Sequence, residues 1–290
     1  MSHPVIAVTG ASGVIGGRVA RRLAERGVAT RLVGRRAERL PELVGAVKAS
    51  GAAFGDLDAM RGALAGAEDM LMVSAHESPG RVQDHITAVD AAVAAGVRRI
   101  VYVSFLGAAP DATFTFARDH WHTEQYIRGT GLAYTFLRDS LYLSGLAAMA
   151  GPDGVIRGPA GNGRVSGVAH DDIADVATAV LLGEEEHHGV TYDVTGPAPL
   201  TLTDVAAELS RVTGREITYL PETREEAFAS RAGYGAEEWE VTGWVSSYEA
   251  IAAGEMAAVA DTVPRLTGHE AQSFAAYLDA HPRAYRHLMP

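Results

Sequence analysis

The chain has 290 residues, 47% of them hydrophobic and 21% charged, with a formal net charge of −11 and no cysteine. Its length supports one large domain or two unequal lobes, and its composition is that of an ordinary globular protein. The negative charge argues against a general nucleic-acid binder, and the absent thiols exclude disulfides, iron–sulfur clusters, thiolate zinc sites and cysteine nucleophiles. No apolar run reaches membrane-spanning length, since the stretch 132–150 is interrupted by Arg138 and Asp139. The N-terminal segment carries neither a basic region nor a signal-peptide core, so the expected location is the cytoplasm, with no membrane partner.

Residues 5–8 read as the first strand, and glycines then recur at three-residue steps: Gly10, Gly13 and Gly16. A helical pattern follows at once, with Ile15, Val19 and Leu23 on one face. Strand, glycine turn and helix N-terminus in that order form a phosphate cradle. Gly10 permits a sharp turn, Gly13 lets backbone amides approach a diphosphate, Gly16 brings the helix close to the strand, and the helix dipole faces the anion. Gly10, Ser12, Gly13, Val14, Ile15 and Gly16 are therefore the candidate dinucleotide-binding residues. The spacing G-x-x-G-x-x-G makes the turn one residue longer than in G-x-G-x-x-G. A small-residue turn that merely closes a strand–helix junction is the alternative.

Residues 30–34 form a second strand, followed by Arg35 and Arg36. An NAD site places an acid here, about twenty residues past the glycines, to hold the ribose hydroxyls. The chain supplies guanidinium groups instead. Arg35 could fork onto a 2′-phosphate, which favours NADP(H) over NAD(H), or it is a solvated arginine at a strand end. Arg18, Arg21, Arg22, Arg31, Arg36 and Arg39 complete a local basic cluster that suits a small phosphate ligand better than a polymer. A short basic helix and a weak strand near 46–49 come next. Asp56 is placed to accept from an adenine amino group, with Leu57 against the ring and Asp58 capping a helix over 59–64. Residues 69–74 are a continuous apolar strand, buried on both faces. Its end, Ser74-Ala75-His76-Glu77, opens beside the cofactor and makes Ser74 and His76 candidates.

A helix over 81–95 carries Val82, Ile86, Val89 and Val93 in helical spacing, and Gly96 stops it. A fifth strand (99–104), a helix (117–128) and a sixth strand (132–138) follow. This alternation implies right-handed crossovers and a parallel sheet that binds ligands at the carboxyl ends of its strands. Ser104 stands at that rim, bonding the acceptor oxygen or simply ending the strand. Tyr142 either reaches over the substrate or fills core. Beyond Gly151 come turn-rich segments, a strand (190–195) and helices over 171–182, 204–213, 224–232, 236–253 and 270–280. Asp172 reads as a helix-start residue, and 184–188 as a solvated loop. Trp239, Trp244 and Tyr248 roof an aromatic pocket or pack the second lobe. The predicted architecture is α/β: a Rossmann-type doubly wound parallel sheet over 1–151, with a smaller, mainly helical C-terminal substrate lobe over 152–290. Segments around 165–195 return to the first domain. Neither G-x-S-x-G nor H-E-x-x-H occurs, which disfavours a hydrolase and a metal site.

Three stretches, Thr9-Gly10-Ala11-Ser12-Gly13-Val14-Ile15-Gly16, Gly96-Val97-Arg98-Arg99-Ile100-Val101-Tyr102-Val103-Ser104 and Tyr134-Thr135-Phe136-Leu137-Arg138, carry a family resemblance. With His170-Asp171-Asp172-Ile173-Ala174 and Thr191-Tyr192-Asp193-Val194-Thr195-Gly196, it covers nearly the whole chain. The chain resembles the NmrA-like branch of the atypical short-chain dehydrogenase/reductases, and within it the bacterial NAD(P)H:quinone oxidoreductases and triphenylmethane reductases. That resemblance implies a Rossmann domain, NADP(H) as cofactor and hydride transfer to a quinone or similar conjugated acceptor. The expectation is direct transfer without flavin or metal, in a monomer or homodimer.

Short-chain dehydrogenases usually carry Tyr-x-x-x-Lys, followed four residues later by Glu; the matching register here is Phe116, His120 and Glu124. Phenylalanine cannot exchange a proton, so alcohol oxidation by the usual route is closed. Quinone- and dye-reducing members also carry a histidine at the position of His120. The resemblance assigns it to the nicotinamide ribose or to proton donation, against a packing role. His122 faces elsewhere on the helix, so the two share no metal. A quinone accepts hydride into a system whose oxygen anion is already stabilised, and solvent can protonate it. The protein then has to hold two rings at near-attack distance. The rival reading is a non-catalytic NADP(H) sensor, which would also lack the Tyr and Lys; an epimerase is weakened by their absence.

Overall fold

The computed structural model describes residues 4–183 and 185–289. The elements begin with β1 (Ile6–Val8), α1 (Val14–Glu25), β2 (Thr30–Gly34), β3 (Ala46–Ser50), α2 (Leu57–Leu64) and β4 (Asp69–Val73). They continue with α3 (Arg81–Ala95), β5 (Arg99–Phe105), α4 (Thr115–Gly129), β6 (Ala133–Asp139), α5 (Leu143–Ala148), β7 (Val155–Gly158) and β8 (Arg164–Val165). The rest are α6 (His170–Leu182), β9 (Val190–Val194), β10 (Leu200–Thr201), α7 (Leu202–Thr213), β11 (Thr218–Pro221), α8 (Arg224–Arg231), α9 (Glu238–Ala252), α10 (Thr262–Thr267) and α11 (Phe274–Ala280).

Two compact units divide the chain. The first runs to Ala108 and adds Asp119–Arg138 and His170–Asp193; the second takes Ala109–Arg118, Asp139–Ala169 and the chain from Val194 onward. The boundary expected at 151 thus falls inside the second unit. The returning segment spans His170–Asp193.

A seven-stranded sheet orders its strands β3-β2-β1-β4-β5-β6-β9, and the β1–β2, β2–β3, β1–β4 and β4–β5 pairs are parallel. The order reverses between β1 and β4, and such a switch point opens a crevice at the carboxyl ends of the two strands. Residues alternate faces along a strand. Met70 and Met72 of β4 therefore share a core with Met60 and Leu64 of α2, Ala88 and Ala92 of α3, and the rings of Tyr102 and Phe136. No described helix is long and apolar enough to cross a membrane.

Helices α1 and α6 are clamped by charge. Arg18 Nε lies 3.1 Å from Asp171, and Arg22 reaches Asp171 at 2.9 Å and Asp175 at 2.7 Å. Arg31 Nε donates to the Ala63 carbonyl at 2.7 Å. Much of the basic cluster expected to serve a phosphate is therefore spent inside the protein. The short basic helix after Arg36 reduces to one 3₁₀ turn, Ala37–Arg39.

The buried face of α3 is rotated from the expected one. Arg81, His85, Ala88 and Ala92 are buried, whereas Val93 is 44% exposed. Of the expected positions Val89 is buried, in the core cluster that holds the rings of Tyr102 and Phe136. Gly96 ends the helix at φ +82°, in the left-handed region. Of the stretch 184–188, expected as a solvated loop, Glu186 and His188 are exposed. Glu184 lies outside the described residues, but His187 is buried with Nδ1 2.9 Å from Tyr192 Oη.

In the second unit β7 pairs parallel with β11, and β8 pairs antiparallel with β10. Neither pair was predicted, nor were the six-residue helices α5 and α10. Such short elements show no resolvable period. Helix α7 starts at Leu202 because Thr201 and Asp204 cap each other reciprocally, and α11 starts at Phe274 because Ser273 accepts from Ala276 N–H. Phe116 packs 6.0 Å from the Trp239 ring and lies where a Cβ on Gly243 of α9 would have to go. Phe116 is a packing residue.

Candidate active site

The crevice begins at the end of β1. Thr9 Oγ1 donates to the Leu71 carbonyl at 3.1 Å and accepts from Val73 N–H at 3.0 Å, fastening β1 to β4. Gly10 then turns the chain at φ +60°, and Gly13 N–H donates to the Gly10 carbonyl at 2.7 Å. A Cβ on Gly16 would lie 2.5 Å from the Gly10 oxygen, so only glycine lets α1 approach this closely. Helix α1 has no side-chain cap and no acid in its first turn. Its first amides, at Val14 and Ile15, have no intrahelical acceptor and suit an anion.

Above this turn lies a cavity of about 520 Å³. Five expected residues line it: Gly10, Ser12, Arg35, Ser74 and His76. Gly13, Val14, Ile15 and Gly16 frame the turn beneath. The exposed Arg35 makes no hydrogen bond or ion pair among the described residues. Asp56 and Leu57 do not line the cavity. Asp56 instead caps α2, accepting from Ala59 N–H at 3.0 Å, so the cap expected at Asp58 sits two residues earlier. Leu57 is the first residue of that helix and 44% exposed. Phe54, Gly55, Ala75 and Asp84 line the cavity without having been singled out. Their signal was position: 52–55 and 74–76 directly follow β3 and β4, at the edge where such sheets bind ligands. A cavity over a glycine turn and an uncapped helix, with one unpaired guanidinium at its rim, fits a phosphorylated dinucleotide.

The three substrate-side candidates fare differently. Ser104 is fully buried, and its hydroxyl donates to Glu124 Oε1 at 2.6 Å. Arg138 forks onto the same carboxylate, at 2.8 Å to Oε1 and 2.6 Å to Oε2. A carboxylate this deeply buried needs several donors, and Ser104 is one of them, so it does not reach an acceptor oxygen. His120 is buried too, with Nδ1 2.9 Å from Tyr102 Oη. Burial, and after it the charge of Arg81, holds its imidazole well below the ordinary value. It is neutral at physiological pH and not an imidazolium donor. Tyr142, in the second unit, donates to Asp139 Oδ2 at 3.1 Å, and burial pushes that carboxyl well above the usual carboxylate range. His122 is exposed and contacts the edge of Trp121. Asp172 lies in the first turn of α6, as a helix-start residue should.

One group that the sequence reading passed over supports the cavity from behind. Fully buried His85 accepts from Ala75 N–H through Nε2 at 2.9 Å, which leaves its proton on Nδ1 for Thr123 Oγ1, also at 2.9 Å. Thr123 donates on to the Asp119 carbonyl. Arg81 joins Asp119 at 3.1 Å and approaches Glu77 at 3.5 Å. The loop walling the cavity at Ala75 and His76 is thereby tied to α3 and α4. Burial, then the Arg81 charge, pushes the His85 pKa down to about 3. The spacing of Arg81 and His85 with the buried Ala88 and Ala92 was the available sign.

A Rossmann-type sheet carrying this cavity at its switch point defines a dinucleotide-binding protein. The profile of the NAD(P)H-binding family matches residues 10–184, and the chain belongs to that family. An NAD(P)H azoreductase of Xenophilus azovorans is 32% identical over 286 residues, covering 97% of this chain and 99% of the relative. A (4-alkanoyl-5-oxo-2,5-dihydrofuran-3-yl)methyl phosphate reductase of Streptomyces griseus is 35% identical over 289 residues, again covering 97% and 99%. Among solved structures, the NADPH complex of an Escherichia coli NADPH-dependent quinone oxidoreductase superposes with a TM-score of 0.86 at 29% identity, covering 95% of this chain and 99% of that one. The transcriptional regulator NmrA, at a TM-score of 0.76 and 17% identity, shares the fold.

Proposed function

We propose that this chain is an NADPH-dependent reductase of quinones and similar conjugated acceptors, working without the tyrosine–lysine pair of short-chain dehydrogenases. One observation carries the reading: no side chain in the positions of a dehydrogenase's acid machinery stands as a ready charged or phenolic proton donor. Phe116 has none to give, His120 is neutral and bonded to Tyr102, and Ser104 is bonded to Glu124. The acceptor must therefore stabilise its own developing charge, which a quinone, an azo bond or an unsaturated carbonyl does. The named substrates of the relatives, azo compounds, quinones and an alkanoyl dihydrofuranone, share that property.

The nicotinamide, when bound, supplies the hydride. This chain's residues bind and orient. The backbone from Gly10 to Gly16 would hold the diphosphate, and Arg35 the 2′-phosphate, which sets the preference for NADP(H) over NAD(H). His85 positions the Ala75–His76 wall, and Phe54, which also lines the cavity, packs with its ring 5.8 Å from that of His85. The test is loss of NADPH absorbance on mixing the purified chain with benzoquinone, naphthoquinone and azo acceptors. Turnover without added flavin is expected. Tight NADPH binding with no turnover across the panel would favour a cofactor sensor.

A further inference from the structure

The second unit encloses a larger cavity of about 750 Å³, between α5, β7, α8 and α9. That is within the roughly 300–1,000 Å³ of small-molecule sites. Trp244 and Tyr234 stand 6.3 Å apart on one side of it, 36% and 71% exposed. Large rings are seldom left open to water without a partner. Tyr248 lies beside them, packed where a Cβ on Gly158 would collide with its ring.

Gly145 and Ala148 of α5, then Met149 and Gly151, also line the cavity. Glycine inside a helix is the poorest choice short of proline, and usually a close neighbour demands it. At Gly145 none does, because a Cβ there meets no atom within 4 Å. The missing side chain leaves open space in the lining.

The cavity's charge is already balanced. Arg157 pairs with Asp153 at 2.8 Å and Arg231 with Glu222 at 3.1 Å. Arg231 gives further protons to the Ala227 carbonyl, Ser230 Oγ and the Arg157 carbonyl, and its guanidinium lies 5.2 Å from the Tyr248 ring centre. A guanidinium so engaged offers a flat face but little net attraction for an anion.

We infer that this cavity binds flat, uncharged, fused-ring quinones stacked on the Trp244 ring beside Tyr234, in preference to phosphorylated or sulfonated ones. The choice of quinones rests on the reductase reading; the binding itself is measurable without cofactor. Menadione is the probe, and with no cysteine in the chain it forms no thioether adduct.

Gly145→Leu fills that space without a clash and is expected to weaken menadione binding about tenfold by calorimetry, with NADPH affinity kept within about twofold. Trp244→Ala removes the stacking ring and is expected to cost about the same. In the wild-type chain, 1,2-naphthoquinone-4-sulfonate is expected to bind about tenfold more weakly than 1,2-naphthoquinone. Unchanged menadione affinity in both folded variants overturns the site, and tighter binding of the sulfonate overturns the selectivity. Menadione binding by a wild-type chain that oxidises no NADPH would uphold the ring-binding cavity and sink the reductase reading instead.

Discussion

The two cavities treat their arginines in opposite ways. In the first unit Arg35 stands unpaired at the rim of a cavity over an uncapped helix start. In the second, Arg157 and Arg231 each carry a carboxylate of their own. An unpaired charge at a cavity awaits a ligand of the opposite sign, whereas a paired one contributes shape and a planar surface. The number of arginines around a cavity is therefore a poor guide to its ligand, and the number of their partners is a good one.

The largest effect is expected from Gly16→Val. Its Cβ would press on the Gly10 oxygen from 2.5 Å, and the turn would have to open. NADPH affinity should fall about a hundredfold or more by calorimetry, with the far-ultraviolet dichroism unchanged. Retained affinity would break the contrast at its first member. Next comes Arg35→Ala, expected to weaken NADPH about tenfold and NADH less than about twofold. Equal losses would mean that Arg35 meets no 2′-phosphate.

Such predictions draw on what was legible in the chain. The glycine turn and Arg35 could be read because their geometry is local: strand, turn and helix follow one another without a gap. The sheet was legible because its strands are apolar runs set off by helical periods. Ser104, Arg18, Arg22 and His85 were misread or missed for one common reason. Each is polar, and whether it faces a ligand or the protein depends on a distant partner. Glu124 lies 20 residues from Ser104, Thr123 lies 38 from His85, and Asp171 lies 153 from Arg18. Periodicity reports which face of an element is buried, not what waits there. Asp56 and Asp58 show the same limit at short range, since both are good caps and only the backbone chose between them.

A smaller effect sharpens the first cavity. His85→Leu should weaken NADPH about fivefold by freeing the Ala75 amide, while kcat at saturating NADPH changes less than about twofold. His85→Gln, which keeps an acceptor for that amide, should recover most of the loss. A fall in Tm with unchanged NADPH affinity would make His85 merely structural.

The smallest effect, absent at neutral pH, concerns stability. His85 is held neutral in the fold down to about pH 3, from an ordinary value of 6.5, and His170 to about 4. Below 6.5 the unfolded chain takes up protons that these folded groups refuse, so their contribution is whole above 6.5 and is lost as pH falls toward 4. Buried Asp139 acts with the opposite sign, because the fold keeps its proton where the unfolded chain has lost it. Comparing denaturant unfolding of the wild type and His85→Gln isolates one histidine. The wild type should lose up to about 1.4 kcal/mol more per pH unit below 6.

The interleaving of the first unit has a consequence for biosynthesis. Its glycine turn leaves the ribosome well before the acids that clamp α1, since Asp171 and Asp175 belong to the last of its three chain segments. At about 5–20 residues per second, Arg18 waits roughly eight to thirty seconds for its counter-charge. Throughout that interval the nascent sheet lacks its last strand and one covering helix, so chaperone capture and proteolysis compete with closure. A stalled or truncated product ending before His170 would be cleared rather than stored.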